Sequence, residues 1–170
     1  MSGGTNDQEL RDRRLVFYEQ DIDRMNKALE AYQKLSKSKC NILVDKEGHC
    51  VTQIGSTDGV NTDVISALVA GCFTAARELG RILGEAELTT LTHQGKKDGI
   101  QLSLVGERCI LATIFDDTTT IGMVSLYVKD TLDQLAGVFD DISKRKRTDK
   151  GLAEDFGSSA ANAIDDMFGE

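Results

Sequence analysis

The chain has 170 residues, a net charge of −8, 40% apolar and 5% aromatic residues, and no proline. That is room for one domain with a mostly aliphatic core, and the negative charge argues against general nucleic-acid binding, which needs cations to displace counterions. No apolar run approaches the roughly 20 residues of a membrane span, and the start, MSGGTNDQEL, lacks the basic-then-apolar pattern of a secretory signal, so a cytoplasmic protein is expected.

Residues 1–14 are polar, with acids and arginines intermixed, and read as a flexible N-terminal extension. Leu15, Tyr18, Ile22, Met25, Leu29 and Tyr32 then recur at steps of three and four, one apolar stripe of an amphipathic helix. Glu19, Gln20, Asp23, Lys27 and Glu30 fill its wet face, and the Ser/Lys stretch 36–39 should end it. CNILVDKEGHCVTQIG reads as a hairpin: Ile42, Leu43 and Val44 form one strand, Val51, Thr52 and Ile54 the return. The turn runs through Asp45, Lys46, Glu47 and Gly48, the glycine being able to take a positive φ.

Asn61, Thr62 or Asp63 can cap a second helix that runs to about Leu83, with Gly84 as its stop. Leu68, Cys72, Ala76, Leu79 and Leu83 share one face of it. Small or short residues, Ala67, Ala70, Gly71, Thr74, Ala75 and Glu78, fill the other side. A glycine there costs roughly 1 kcal/mol against alanine, so something should offset it: small side chains let a partner backbone approach closely, or they fit against the chain's own sheet.

Three strands follow, at 88–92, 100–105 and 109–115, joined by the turns 95–99 and 106–108, which makes them antiparallel neighbours. Val124, Leu126 and Val128 alternate as in a strand, whereas Val128, Leu132, Leu135, Phe139 and Ile142 step as in a helix, and periodicity alone leaves the first half open. Thr118, Thr119 and Thr120 are plausible caps, and one long helix is the reading adopted. The order α-β-β-α-β-β-β-α predicts an α+β fold, a five-stranded antiparallel sheet with helices on both faces.

No phosphate-binding glycine loop, nucleophile elbow or H-E-x-x-H is present. The acid pairs Asp116-Asp117 and Asp140-Asp141 have no catalytic companion and read as solvated charge. The four cysteines, Cys40, Cys50, Cys72 and Cys109, form no C-x-x-C pair, and neither His49 nor His93 stands at a zinc-like spacing. In apolar segments thiols act as small hydrophobes. The run Lys144 to Arg147 suits a helix C-terminus. A binding module is therefore favoured over an enzyme, and neither metal nor cofactor is expected; an enzyme using one cysteine remains the contrasting class.

Four stretches, LVFYEQD, LVDKEG, LVAGCFTAARELGRILGE and IFDDTTTIGMVSLYVK, together with the tail IDDMFGE, are similar to the bacterial MglB branch of the roadblock / dynein light chain family. The resemblance covers residues 15–143 and the last seven. It implies a homodimer whose second helices lie side by side and whose sheets join at their edges. It implies a GTPase-activating role toward a Ras-like small GTPase of the MglA type, two copies to one GTPase, in cell polarity or gliding motility at a cell pole. GTP and magnesium would belong to the partner. The implied contact residues on the second helix are Ala67, Ala70, Gly71, Thr74, Arg77, Glu78 and Arg81, with Thr74 and Glu78 larger than the family's habit. The family works without an arginine finger, and Arg77 and Arg81 are expected to be surface charge, paired with Glu78 or Glu85. A roadblock adaptor that binds without activating is the alternative.

The roadblock domain is thus placed at 15–145 and a disordered acidic tail at 146–170. From residue 148 on, six acids face one base, Lys150. Gly157, Ser158 and Ser159 have linker composition. Ile164, Met167 and Phe168 stand at the i, i+3, i+4 spacing of a helix laid into a groove, with Asp165 and Asp166 between them for a basic rim. This end reads as a short docking motif for the GTPase.

Overall fold

The computed structural model describes residues 16–85 and 87–168, with the backbone alone at 153, 154 and 160–168. Among these residues run α1 (Glu19–Ser36), β1 (Cys40–Asp45), β2 (Cys50–Gly55), α2 (Thr62–Ile82), β3 (Thr90–Gln94), β4 (Gly99–Val105), β5 (Cys109–Phe115) and α3 (Ile121–Phe168). The α+β order is the expected one. The third strand starts two residues later than its apolar pattern suggested and pairs with β4 from Thr90↔Ser103 to Gln94↔Gly99. Two compact units are formed: 19–138, and 16–18 with 139–168.

The first unit holds one antiparallel sheet in the order β2-β1-β5-β4-β3. Because side chains alternate across a strand, each face has its own helix. Ile42, Val44, Leu102, Ile110 and Ala112 point to the face that buries Val69 and Phe73 of α2. The opposite face carries α1, whose Asn26 accepts a 2.6 Å hydrogen bond from Thr52 and whose buried Tyr32 receives one from Thr113. Tyr32 in turn donates to the Val124 carbonyl of α3, and Ser125 of α3 donates to Gln101 of β4 at 2.9 Å. Burial pushes the Tyr32 hydroxyl up to about 12.

Turn chemistry sets the frame as the composition suggested. Gly48 has φ +91° at the β1–β2 turn, and a Cβ there would meet Ala67 Cα at 3.0 Å. Gly55 has φ +93°, where a side chain would run into the Lys39 carbonyl and Cys40. Lys39 forms an ion pair with Asp58, tying the β2–α2 loop to the start of β1.

Two expectations are corrected. Met25, Leu29 and Tyr32 of the first stripe are buried, but Tyr18 lies ahead of the helix and is 50% exposed; Leu15 lies outside the described residues. The segment from 146, expected to be disordered, continues the helix to Phe168. With no proline to break it, lysine, arginine, alanine and glutamate sustain the turn. Thr148 folds its hydroxyl back onto the Lys144 carbonyl at 3.2 Å and Ser158 onto that of Asp155 at 3.0 Å.

Candidate functional site

α2 is delimited by its own ends. Asn61 is the cap: its side-chain oxygen accepts from the amides of Asp63 at 2.8 Å and Val64 at 3.3 Å. At the other end Gly84 takes φ +83°, and the amides of Glu85 and Gly84 return to the carbonyls of Gly80 and Arg81 at 2.9 and 3.2 Å. That double return is a Schellman stop.

Between these ends the helix has three distinct sides. Ser66, Val69, Ala70 and Phe73 are buried. Ser66 is tolerated there because its hydroxyl donates to the Thr62 carbonyl at 2.8 Å. The leucine stripe is not the core stripe. Val64 is 53% exposed, Leu68 64%, Leu79 58% and Leu83 72%, and Cys72 is exposed among them. At 100° per residue these five share one flank.

On the other flank Thr74, Arg77, Glu78 and Arg81 line a cleft of about 600 Å³ with Lys46, Glu85, Glu87, Leu88, Leu104 and Glu107. Arg81 donates from Nε to Glu78 at 3.0 Å, an exposed i, i+3 pair. Gly71 has open space where a Cβ would stand. Of the seven expected contact residues, six (Ala67, Gly71, Thr74, Arg77, Glu78 and Arg81) are exposed, and four of them line the cleft. Ala70 is 6% exposed and packs toward the β1–β2 turn, so it is not part of that surface. The apolar flank went unread as a surface because hydrophobicity alone does not distinguish a core from an interface.

The cysteines divide in the same way. Burial pushes the Cys40 thiol up to about 11 and the Cys109 thiol up to about 12, and raises that of Cys50 as well. These thiols stay protonated at neutral pH and fit the role of small hydrophobes. Cys72 is the exposed one. Among the described residues one group can gather metal-ligating atoms, Asp45, Glu47 and His49, within 4.8 Å of one another. Its geometry serves the hairpin: Asp45 accepts from the His49 amide at 2.8 Å. No described helix is long and apolar enough to cross a membrane. In the C-terminal motif the backbone of Ile164, Asp165, Asp166, Met167 and Phe168 is helical; their side chains lie outside the described residues.

The Roadblock/LC7 domain matches residues 26–115, and the chain belongs to that family. Myxococcus xanthus MglB is 33% identical over 75% of this chain and 96% of its own, with a TM-score of 0.70. The gliding protein MglB of Thermus thermophilus is 28% identical with the same coverage and a TM-score of 0.69. A third structure, of MglB in a tetrameric arrangement, is 27% identical with a TM-score of 0.70. None of the curated proteins matches the chain.

Proposed function

We propose, from this membership, that the chain regulates a Ras-like small GTPase of the MglA type, acting as a homodimer that raises the partner's rate of GTP hydrolysis. The observation that carries the reading is the division of α2 into a buried strip, an exposed apolar flank and a charged cleft. An apolar flank left in water by four large side chains asks for cover. A second copy supplies it by laying its own α2 alongside, and the edge strand β3, which pairs only with β4, offers free backbone groups for joining the two sheets. The cleft flank, with Thr74, Arg77, Glu78 and Arg81, is then left for the GTPase, one GTPase to two copies.

Activation proceeds without an arginine finger, a device worth roughly 10³–10⁵ in rate. Arg81 is engaged by Glu78, and binding acts by reshaping the partner so that its own residues align on GTP and magnesium. The C-terminal motif, Ile164 to Phe168, docks on the same GTPase away from the cleft, and the complex serves polarity or gliding motility at a cell pole. The test is GTP hydrolysis by the partner with and without the full chain, and again with Glu78→Arg or Thr74→Arg, which fill the cleft flank without touching the buried strip. Acceleration lost in both variants, with dimerisation retained, supports the assignment. Binding with no acceleration by the unaltered chain makes the protein an adaptor.

A further inference from the structure

We infer that residues 16–18 form a strap that fixes how much of the distal part of α3 is folded. Burial along α3 stops at Ile142, 2% exposed. Every described side chain from 143 on is half-buried or exposed, as Leu152 at 65% and Phe156 at 79% show. Gly151 and Gly157 lie in this stretch with nothing packed near them, and glycine is a poor helix former. A helical segment without a buried face is only as ordered as the turn it grows from, because restarting a helix is costly.

The strap grips that turn on both sides of the last buried residue. Phe17 meets Phe139 edge to face, with ring centroids 6.1 Å apart and planes at 74°, the attractive arrangement of two aromatic quadrupoles. Tyr18 lies beneath Arg145, whose Cζ stands 4.4 Å from the ring centroid, within cation–π range. Phe139 is 4% exposed, so the first contact is anchored. Arg145 belongs to the four consecutive cations Lys144 to Arg147. Adjacent strap residues therefore hold positions 139 and 145, with Ile142 midway. Opening the strap frees both positions together and lets α3 unwind from about residue 143 outward; closing it restores the helix.

Hydrogen exchange by mass spectrometry on the full chain tests the strap, comparing the unaltered protein with Phe17→Ala and Arg145→Gln. Amides of 143–159 should exchange roughly fivefold to tenfold faster in Phe17→Ala and about twofold to fivefold faster in Arg145→Gln, while amides of β1 and β5 keep their protection. Unchanged exchange of 143–159 in both variants overturns the inference, and so does a lack of protection there in the unaltered chain. If Phe17→Ala loosens the sheet as well, Arg145→Gln decides: a rise confined to 143–159 supports the strap, and no rise refutes it.

Discussion

Leu68 and Val69 are chain neighbours with opposite assignments, which makes them a sharp test of how α2 is oriented. Leu68 is 64% exposed and Val69 3%. Fully burying a leucine is worth about 1.5–3 kcal/mol, so covering the exposed part of Leu68 in a dimer contributes about 1–2 kcal/mol per copy. A two-fold dimer counts that twice, about 2–4 kcal/mol, so Leu68→Ala should raise the dimer Kd roughly 30-fold to several-hundred-fold. The stability of the isolated chain should change by less than about 0.5 kcal/mol, as for other surface substitutions. Val69→Ala removes buried methyl groups and should cost the fold about 1.5–3 kcal/mol. Sedimentation velocity over a dilution series reads the dimer, and urea unfolding below the dimer Kd reads the fold. A loss of about 2–5 kcal/mol in the unfolding of Leu68→Ala, with the dimer Kd unmoved, would mean that the leucines are core after all and would refute the orientation.

Gly71→Ala should stabilise the isolated chain by about 1 kcal/mol, since the position is helical and open, and should weaken dimer or GTPase binding if another backbone crosses there; thermal melts paired with a binding titration separate the two effects. Asn61→Ala removes the cap of α2 and should cost about 1 kcal/mol in urea unfolding; no change would remove the cap from the account. A thiol-alkylating reagent at pH 8 should label Cys72 alone in the folded chain, more slowly as protein concentration rises, and peptide mapping that finds Cys109 modified first contradicts the burial pattern. High pH should also destabilise the fold. The Cys40 and Cys109 thiols and the Tyr32 hydroxyl are raised to about 11, 12 and 12 by burial. The unfolded chain therefore loses these protons first, and stability present below pH 9 falls as pH rises through 9 to 12, by about 1.4 kcal/mol per unit for each group titrating only in the unfolded state. Unfolding midpoints that stay flat from pH 9 to 11 contradict it.

Local chemistry made much of the fold legible. Asn61 had the right atoms to cap, Gly48 and Gly84 stood where positive φ was needed, and strands joined by three- to five-residue turns could only be antiparallel. What the pattern left open was which side of the second helix meets the sheet. In α2 the sheet receives Val69 and Phe73, Ser66 is buried one turn before them, and the larger leucines stay outside. Small residues pointed to a crowded side; five of the six named there are exposed, and the sixth, Ala70, lies against the β1–β2 turn. The helical continuation past residue 146 was hidden by glycine and serine, which lower helix propensity without forbidding the conformation. Nor does any pattern announce that Phe17 and Tyr18 contact Phe139 and Arg145, since contacts between residues so far apart in the chain leave no periodic trace.

The central claim is that the chain acts on a small GTPase, and single-turnover GTP hydrolysis by the MglA-type GTPase from the same organism tests it most directly. The account predicts strong acceleration by the full chain, and loss of that acceleration both in Leu68→Ala at concentrations below its dimer Kd and in Glu78→Arg. Hydrolysis that stays at the intrinsic rate while the full chain is shown to bind would contradict it.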